Sequence, residues 1–109
     1  RAFIDGINGS GSWDALPAAD RQMREDNAYT LLAQVNEGRQ AFTKAEAKAL
    51  SLPTLFVGGC DTPGMLPVIL KVLAGLVPNA QTILIPDAGH SMFRQQPKAF
   101  CDAILPFLK

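Results

Sequence analysis

The apolar residues of this chain are distributed in two ways. From Leu52 onward they fall in short unbroken runs, whereas before it they are scattered among charges, alanines and amides. PTLFVG, residues 53–58, is a continuous apolar run closed by two glycines, which predicts a strand covered on both faces, as in a parallel sheet. Met65 to Val77 is apolar almost all round apart from Lys71 and predicts a helix, stopped by Pro78-Asn79. Gln81 to Ile85 predicts a second strand, its TILI run read, like TLFV, as covered on both faces. Pro97 suits the first turn of a final helix, with Phe100, Ala103, Ile104 and Phe107 on one stripe and Pro106 expected to kink or end it. The order strand, helix, strand, helix predicts two parallel strands joined by a right-handed crossover.

Residues 1 to about 50 are polar, alanine-rich and helical in pattern. GINGSGSW, 6–13, reads as a flexible glycine and serine loop. Asp20 to Val35 carries Met23, Leu31, Leu32 and Val35 at roughly helical spacing. TKAE, 43–46, has the form of a capping box, with Thr43 as N-cap and Glu46 three residues on, opening a helix over Ala45–Leu50. Neither a repeat nor a low-complexity tract is present.

Composition narrows the function classes. The 109 residues suffice for one domain and not for two. Ten basic and ten acidic residues cancel, so nothing favours nucleic acid or an anionic membrane as partner. The longest apolar stretch, 65–77, includes Lys71 and falls short of the roughly 20 residues of a membrane span. No signal-peptide pattern opens the chain. It begins with Arg1 rather than methionine, which leads us to expect a trimmed product, a subdomain or a fragment. Cys60 and Cys101 have neither the number nor the spacing of a disulfide framework or zinc knuckle. A cytoplasmic setting fits, and neither metal nor cofactor is expected.

In a parallel α/β sheet, chemistry gathers at the carboxyl ends of the strands. The first strand ends in GGCDTP, placing Asp61 there, and the second ends in PDAGH, placing His90 there. His90 is the sole histidine. Neighbouring strands lie about 5 Å apart, so the two loops are expected to be adjacent. A carboxylate beside an imidazole makes a general base: the acid fixes the tautomer and stabilises the imidazolium that forms when the ring takes a proton. Asp87, three residues before His90, is the rival acid. Both aspartates also read as ordinary turn residues, and a lone loop histidine also reads as a surface or packing residue.

LPTLFVGGCDTP followed by LVPNAQTILIPDAGHSMFRQQPKAFCDAILPFL resembles the carboxyl-terminal end of an α/β-hydrolase. There an apolar strand leads to a Gly-x-x-Asp turn, a helix, a second strand, Gly-His and a proline-opened last helix. The resemblance covers residues 50–109, and residues 1–49 look more loosely like the end of the helical cap that many members insert before these strands. It implies that Asp61 is the acid and His90 the base of a Ser-His-Asp triad acting on a small-molecule ester or related bond.

The family's nucleophile sits in a Gly-x-Ser-x-Gly elbow. This chain has none: GSGSW, 9–13, orders its serines and glycines differently and lacks a preceding apolar strand. The resemblance therefore implies roughly the last third of a hydrolase, supplying acid and base without nucleophile or oxyanion hole, and inactive alone. Cys60 as a thiolate, or Ser10 and Ser12 as nucleophiles, are lesser alternatives. Met65, Met92 and Phe93 are candidates for lining a substrate pocket or for plain core packing. Phe3 and Trp13 are candidates for covering the site. A hydrolase fragment, a non-catalytic assembly module built on the hydrolase fold and a small-molecule binding domain all stay open. Each needs a partner surface, since two strands cannot cover their own sheet: either the missing amino-terminal part or a second copy.

Overall fold

The computed structural model describes all 109 residues. In chain order it contains α1 (Ala2–Asn8), α2 (Ser12–Ala15), α3 (Ala18–Asp26), α4 (Thr30–Val35), α5 (Lys44–Ala49), β1 (Thr54–Gly59), α6 (Leu66–Leu76), β2 (Ala80–Ile85), α7 (Met92–Gln95) and α8 (Pro97–Leu108). The architecture is mixed α/β: a two-stranded parallel sheet and several helices. Thr54 pairs with Ala80 and Gly59 with Ile85.

Alternation along the paired strands separates two faces. Val57, Ile83 and Ile85 turn to the side where Ala99, Phe100 and Ala103 of α8 pack, around a buried centre of Ile85, Ala88 and Met92. Phe56, Gly58, Thr82 and Leu84 turn the other way, toward α6. Gly58 lets that helix come close, because a Cβ there would meet Leu70 Cδ1 at 3.0 Å and Leu84 Cδ2 at 3.2 Å. The expectation of strands covered on both faces is not met for β2: Thr82 and Leu84 are exposed, Leu84 at 53%. Nor does Pro106 end the last helix, which runs on to Leu108. A proline there removes one backbone donor, but only two residues follow it in the helix.

The amino-terminal half corrects the reading of 6–13 as a flexible loop. Only Gly9 to Gly11 turn, with Gly9 at φ 100° and Gly11 at φ 84°, and helices flank them. The Asp5 carboxylate accepts the Trp13 backbone N–H at 2.8 Å, and the Arg1 guanidinium donates to Asp14 at 2.9 Å, so α2 folds back on α1. The predicted helix over Asp20–Val35 is two helices separated at Asn27–Tyr29, where the Asn27 side chain donates to the Met23 carbonyl and competes with the helix. The capping box is formed in full: the Glu46 N–H donates to Thr43 Oγ1, and the Thr43 N–H to Glu46 Oε2 at 2.7 Å. It starts α5, whose Ala47 is fully buried; α5 packs on α6.

The fold is open. Its accessible surface is 7958 Å², against roughly 5,900 Å² for a compact chain of this mass. The radius of gyration is 16.2 Å, against about 13 Å for a compact domain of this length. Much of the surplus is apolar, including Met65 just before α6 and Val68, Ile69 and Val72 on it. No helix is long and apolar enough to cross a membrane.

Candidate active site

Parallel pairing puts the two post-strand loops at one end of the sheet. The loop after β1 carries Cys60, Asp61 and Thr62, and the loop after β2 carries Asp87 to Ser91. Two backbone bonds hold the first loop in place: the Cys60 N–H donates to the carbonyl of Ile85 at the end of β2 at 2.9 Å, and the Asp61 N–H to the Ala88 carbonyl of the second loop at 2.9 Å. Gly59 permits this approach. A Cβ at that position would overlap the carbonyl oxygens of Ala88 and Gly89, which are backbone atoms that cannot swing aside. Thr62 closes the first loop by donating its hydroxyl to the Gly59 carbonyl at 2.8 Å.

Asp61 and His90 thus occupy neighbouring loops, and both side chains are exposed. The side-chain hydrogen bonds at this end belong to Thr62, Gln95 and Gln96, and none joins Asp61 to His90. Asp87 sits at φ 53°, in the left-handed region that aspartate tolerates better than most residues, and its carbonyl accepts from Gln96. This geometry fits the turn-forming reading of Asp87.

His90 stands at the rim of an apolar groove of about 490 Å³. The groove opens between the sheet and α6, floored by Phe56, Gly58, Thr82 and Leu84 and walled by Leu66, Leu70 and Leu73. Its only titratable groups are His90 and Lys71. Of the three pocket candidates, Met92 lines the groove and is buried in the core. Phe93, 54% exposed, stacks edge-on against Phe100 with ring centroids 6.4 Å apart. Met65 is 71% exposed and does not line the groove.

The amino-terminal segment borders the loop after β1 and helix α7. A Cβ on Gly64 would lie 3.7 Å from the Gly6 carbonyl, and one on Gly9 would lie 3.9 Å from Pro63. On the histidine side, Arg94 of α7 pairs with Asp20 of α3 at 3.8 Å. Trp13 is half-buried and Phe3 exposed. Cys60 and Cys101 are both free and exposed. The residues missed by sequence reasoning are Gly59, Thr62, Gln95 and Gln96. Only the glutamines left a trace, as consecutive amides between Met92 and Pro97, and such a pair has no meaning until its partners are known.

No family profile matches the chain. No solved structure matches it either. Among curated proteins it is similar to the polyketide synthase ThaQ of Burkholderia thailandensis, 38% identical over 64 residues, which is 59% of this chain and 3% of the synthase. It is also similar to BpoC of two Mycobacterium tuberculosis strains, which carries the name non-heme bromoperoxidase. There the identity is 34% over 58 residues, 53% of this chain and 22% of that protein. The chain therefore spans about a fifth of the bromoperoxidase and far less of the synthase, and its similarity to both is distant and partial.

Proposed function

We propose that residues 50–109 are the carboxyl-terminal part of an α/β-hydrolase core, preceded by a cap-like segment over 1–49. In this reading Asp61 is the acid and His90 the base of a Ser-His-Asp triad whose serine lies outside this chain. The observation that carries the reading is the bond from the Asp61 N–H to the Ala88 carbonyl, 2.9 Å. It holds the acid-bearing and base-bearing loops side by side at the carboxyl end of a parallel pair. Similarity to a protein named a bromoperoxidase supports it, since haloperoxidase-like chemistry is among the branches the hydrolase resemblance covers.

The chemistry follows from the groups present. His90 takes the proton of the attacking serine and returns it to the leaving group of a small ester-like substrate. Asp61, once its carboxylate turns to the ring, fixes the tautomer and stabilises the imidazolium. This chemistry calls for neither metal nor cofactor. The free cysteines suit a reducing, cytoplasmic compartment. The free sheet edge and the exposed apolar surface are covered by the rest of the hydrolase or, for the chain alone, by a second copy.

A non-catalytic assembly module is the second reading, favoured by the surplus apolar surface. A chimera separates the two: BpoC with residues 50–109 of this chain in place of its matched segment, treated with a fluorophosphonate that labels activated serines. Where BpoC itself is labelled, the hydrolase reading expects a labelled chimera and at least about a thousandfold slower labelling after His90→Ala. A folded chimera that is not labelled, or one whose labelling ignores His90, contradicts it.

A further inference from the structure

His90 makes no hydrogen bond of its own, through backbone or ring. Its neighbours are tied instead. The Ile85 and Ala88 carbonyls accept from Cys60 and Asp61 of the facing loop, and the Ser91 carbonyl accepts the N–H groups of Arg94 and Gln95 as α7 begins. The two remaining ties are side chains. Gln95 Oε1 accepts the Gly89 N–H at 2.8 Å, and Gln96 Nε2 donates to the Asp87 carbonyl at 3.3 Å. Their polarity is opposite: one amide is used as acceptor and the next as donor, and the bonded groups flank His90 closely on its amino-terminal side.

From this geometry we infer that Gln95 and Gln96 are positioning residues for His90, clamping its loop from α7 and the start of α8. The inference rests on the reading of His90 as the base, since only a reactive imidazole gives the clamp a purpose. Without it, Asp87 at φ 53° and Gly89 would be held only by the chain direction and the Ala88 bond. With it, the ring is presented at the groove rim on a loop whose backbone is fixed while the side chain itself stays free to turn.

Opposite polarity gives the test. Gln95→Glu keeps an acceptor for the Gly89 N–H, whereas Gln95→Met removes it at nearly constant shape. Gln96→Glu replaces the donor with an acceptor facing a carbonyl. Because His90 is the only histidine, its ring signals in a proton–carbon correlation spectrum of the full chain are assigned without ambiguity. The expected result is that Gln95→Met and Gln96→Glu shift or broaden those signals, and that Gln95→Met speeds Gly89 amide exchange about tenfold, the loss of one protecting bond. Gln95→Glu should restore both readouts. Unchanged His90 signals and Gly89 exchange in Gln95→Met, or identical behaviour of Gln95→Glu and Gln96→Glu, would overturn the clamp. These readouts do not depend on catalysis, so a failed clamp is distinguishable from a failed triad, which the labelled chimera reports.

Discussion

The Asp61 N–H donates to the Ala88 carbonyl at 2.9 Å, and this bond joins the loops that carry Asp61 and His90, 29 positions apart in sequence. It exists because β1 ends in a residue without a side chain. Gly59 is buried against the Ala88–Gly89 backbone, and nothing larger fits.

Gly59→Ala should therefore destabilise the chain by about 1–3 kcal/mol or more, the usual cost of overpacking, since both obstructing atoms are backbone. Gly75→Ala is the control. Nothing lies within 4 Å of a Cβ at that position in α6, so exchange for a better helix former should stabilise by about 0.5–1 kcal/mol. Urea denaturation of the two variants should move the midpoint in opposite directions. A neutral Gly59→Ala would mean that the two loops are not packed as described.

Without a Gly-x-Ser-x-Gly elbow, the isolated chain should neither hydrolyse p-nitrophenyl esters above background nor accept a fluorophosphonate. Mass mapping covers its four serines, Ser10, Ser12, Ser51 and Ser91. Robust label on any of them would place a nucleophile within this chain.

Self-association is the third expectation. The chain exposes about 2,000 Å² beyond what a compact fold of its mass shows, and both strands have an unpaired edge that can accept another strand. Sedimentation equilibrium at micromolar concentration should show dimers or larger species. A monomer that melts cooperatively would show that the open α6 face is tolerated in water.

The carboxyl-terminal half was largely legible in the sequence because its signals are local. LFV and ILI are apolar without interruption, Pro97 fixes the first turn of α8, and the order strand–helix–strand implies a parallel pair. The capping box at Thr43 was legible for the same reason. What escaped depends on contacts between distant segments. Gly9–Gly11 read as part of a longer loop because the bond from the Trp13 N–H to the Asp5 carboxylate, eight residues apart, is not a pattern in composition. The four-residue α7 is too short to show a period. At the site, sequence order placed Asp61 and His90 at one end of the sheet but not the direction of their side chains, which make no bond to each other here. The Gln95–Gly89 and Gln96–Asp87 bonds were invisible for want of partners.

On α8, the Lys98 ammonium donates to Asp102 at 2.6 Å. That hydrogen bond, and then the carboxylate charge, hold its pKa above the ordinary 10.5. A raised folded pKa means that the contribution is fully present below the unfolded value and is lost as pH rises through the folded one. The effect is confined to alkaline pH above about 10.5 and is weakened by salt. Carbon NMR titration of the labelled lysine should show the upward shift, and Asp102→Asn should remove it. An unchanged titration in that variant would contradict the pairing.

The measurement that most directly tests the assignment of acid and base is a comparison of two carboxylates in the BpoC chimera. Asp61→Asn should lower kcat by about 10⁴, as expected when the acid that fixes the histidine tautomer is lost. Asp87→Asn, at the turn residue with φ 53°, should leave kcat within about threefold, the scale of a turn substitution away from the reacting atoms. The reverse pattern, or two folded variants that both keep full activity, would contradict the account.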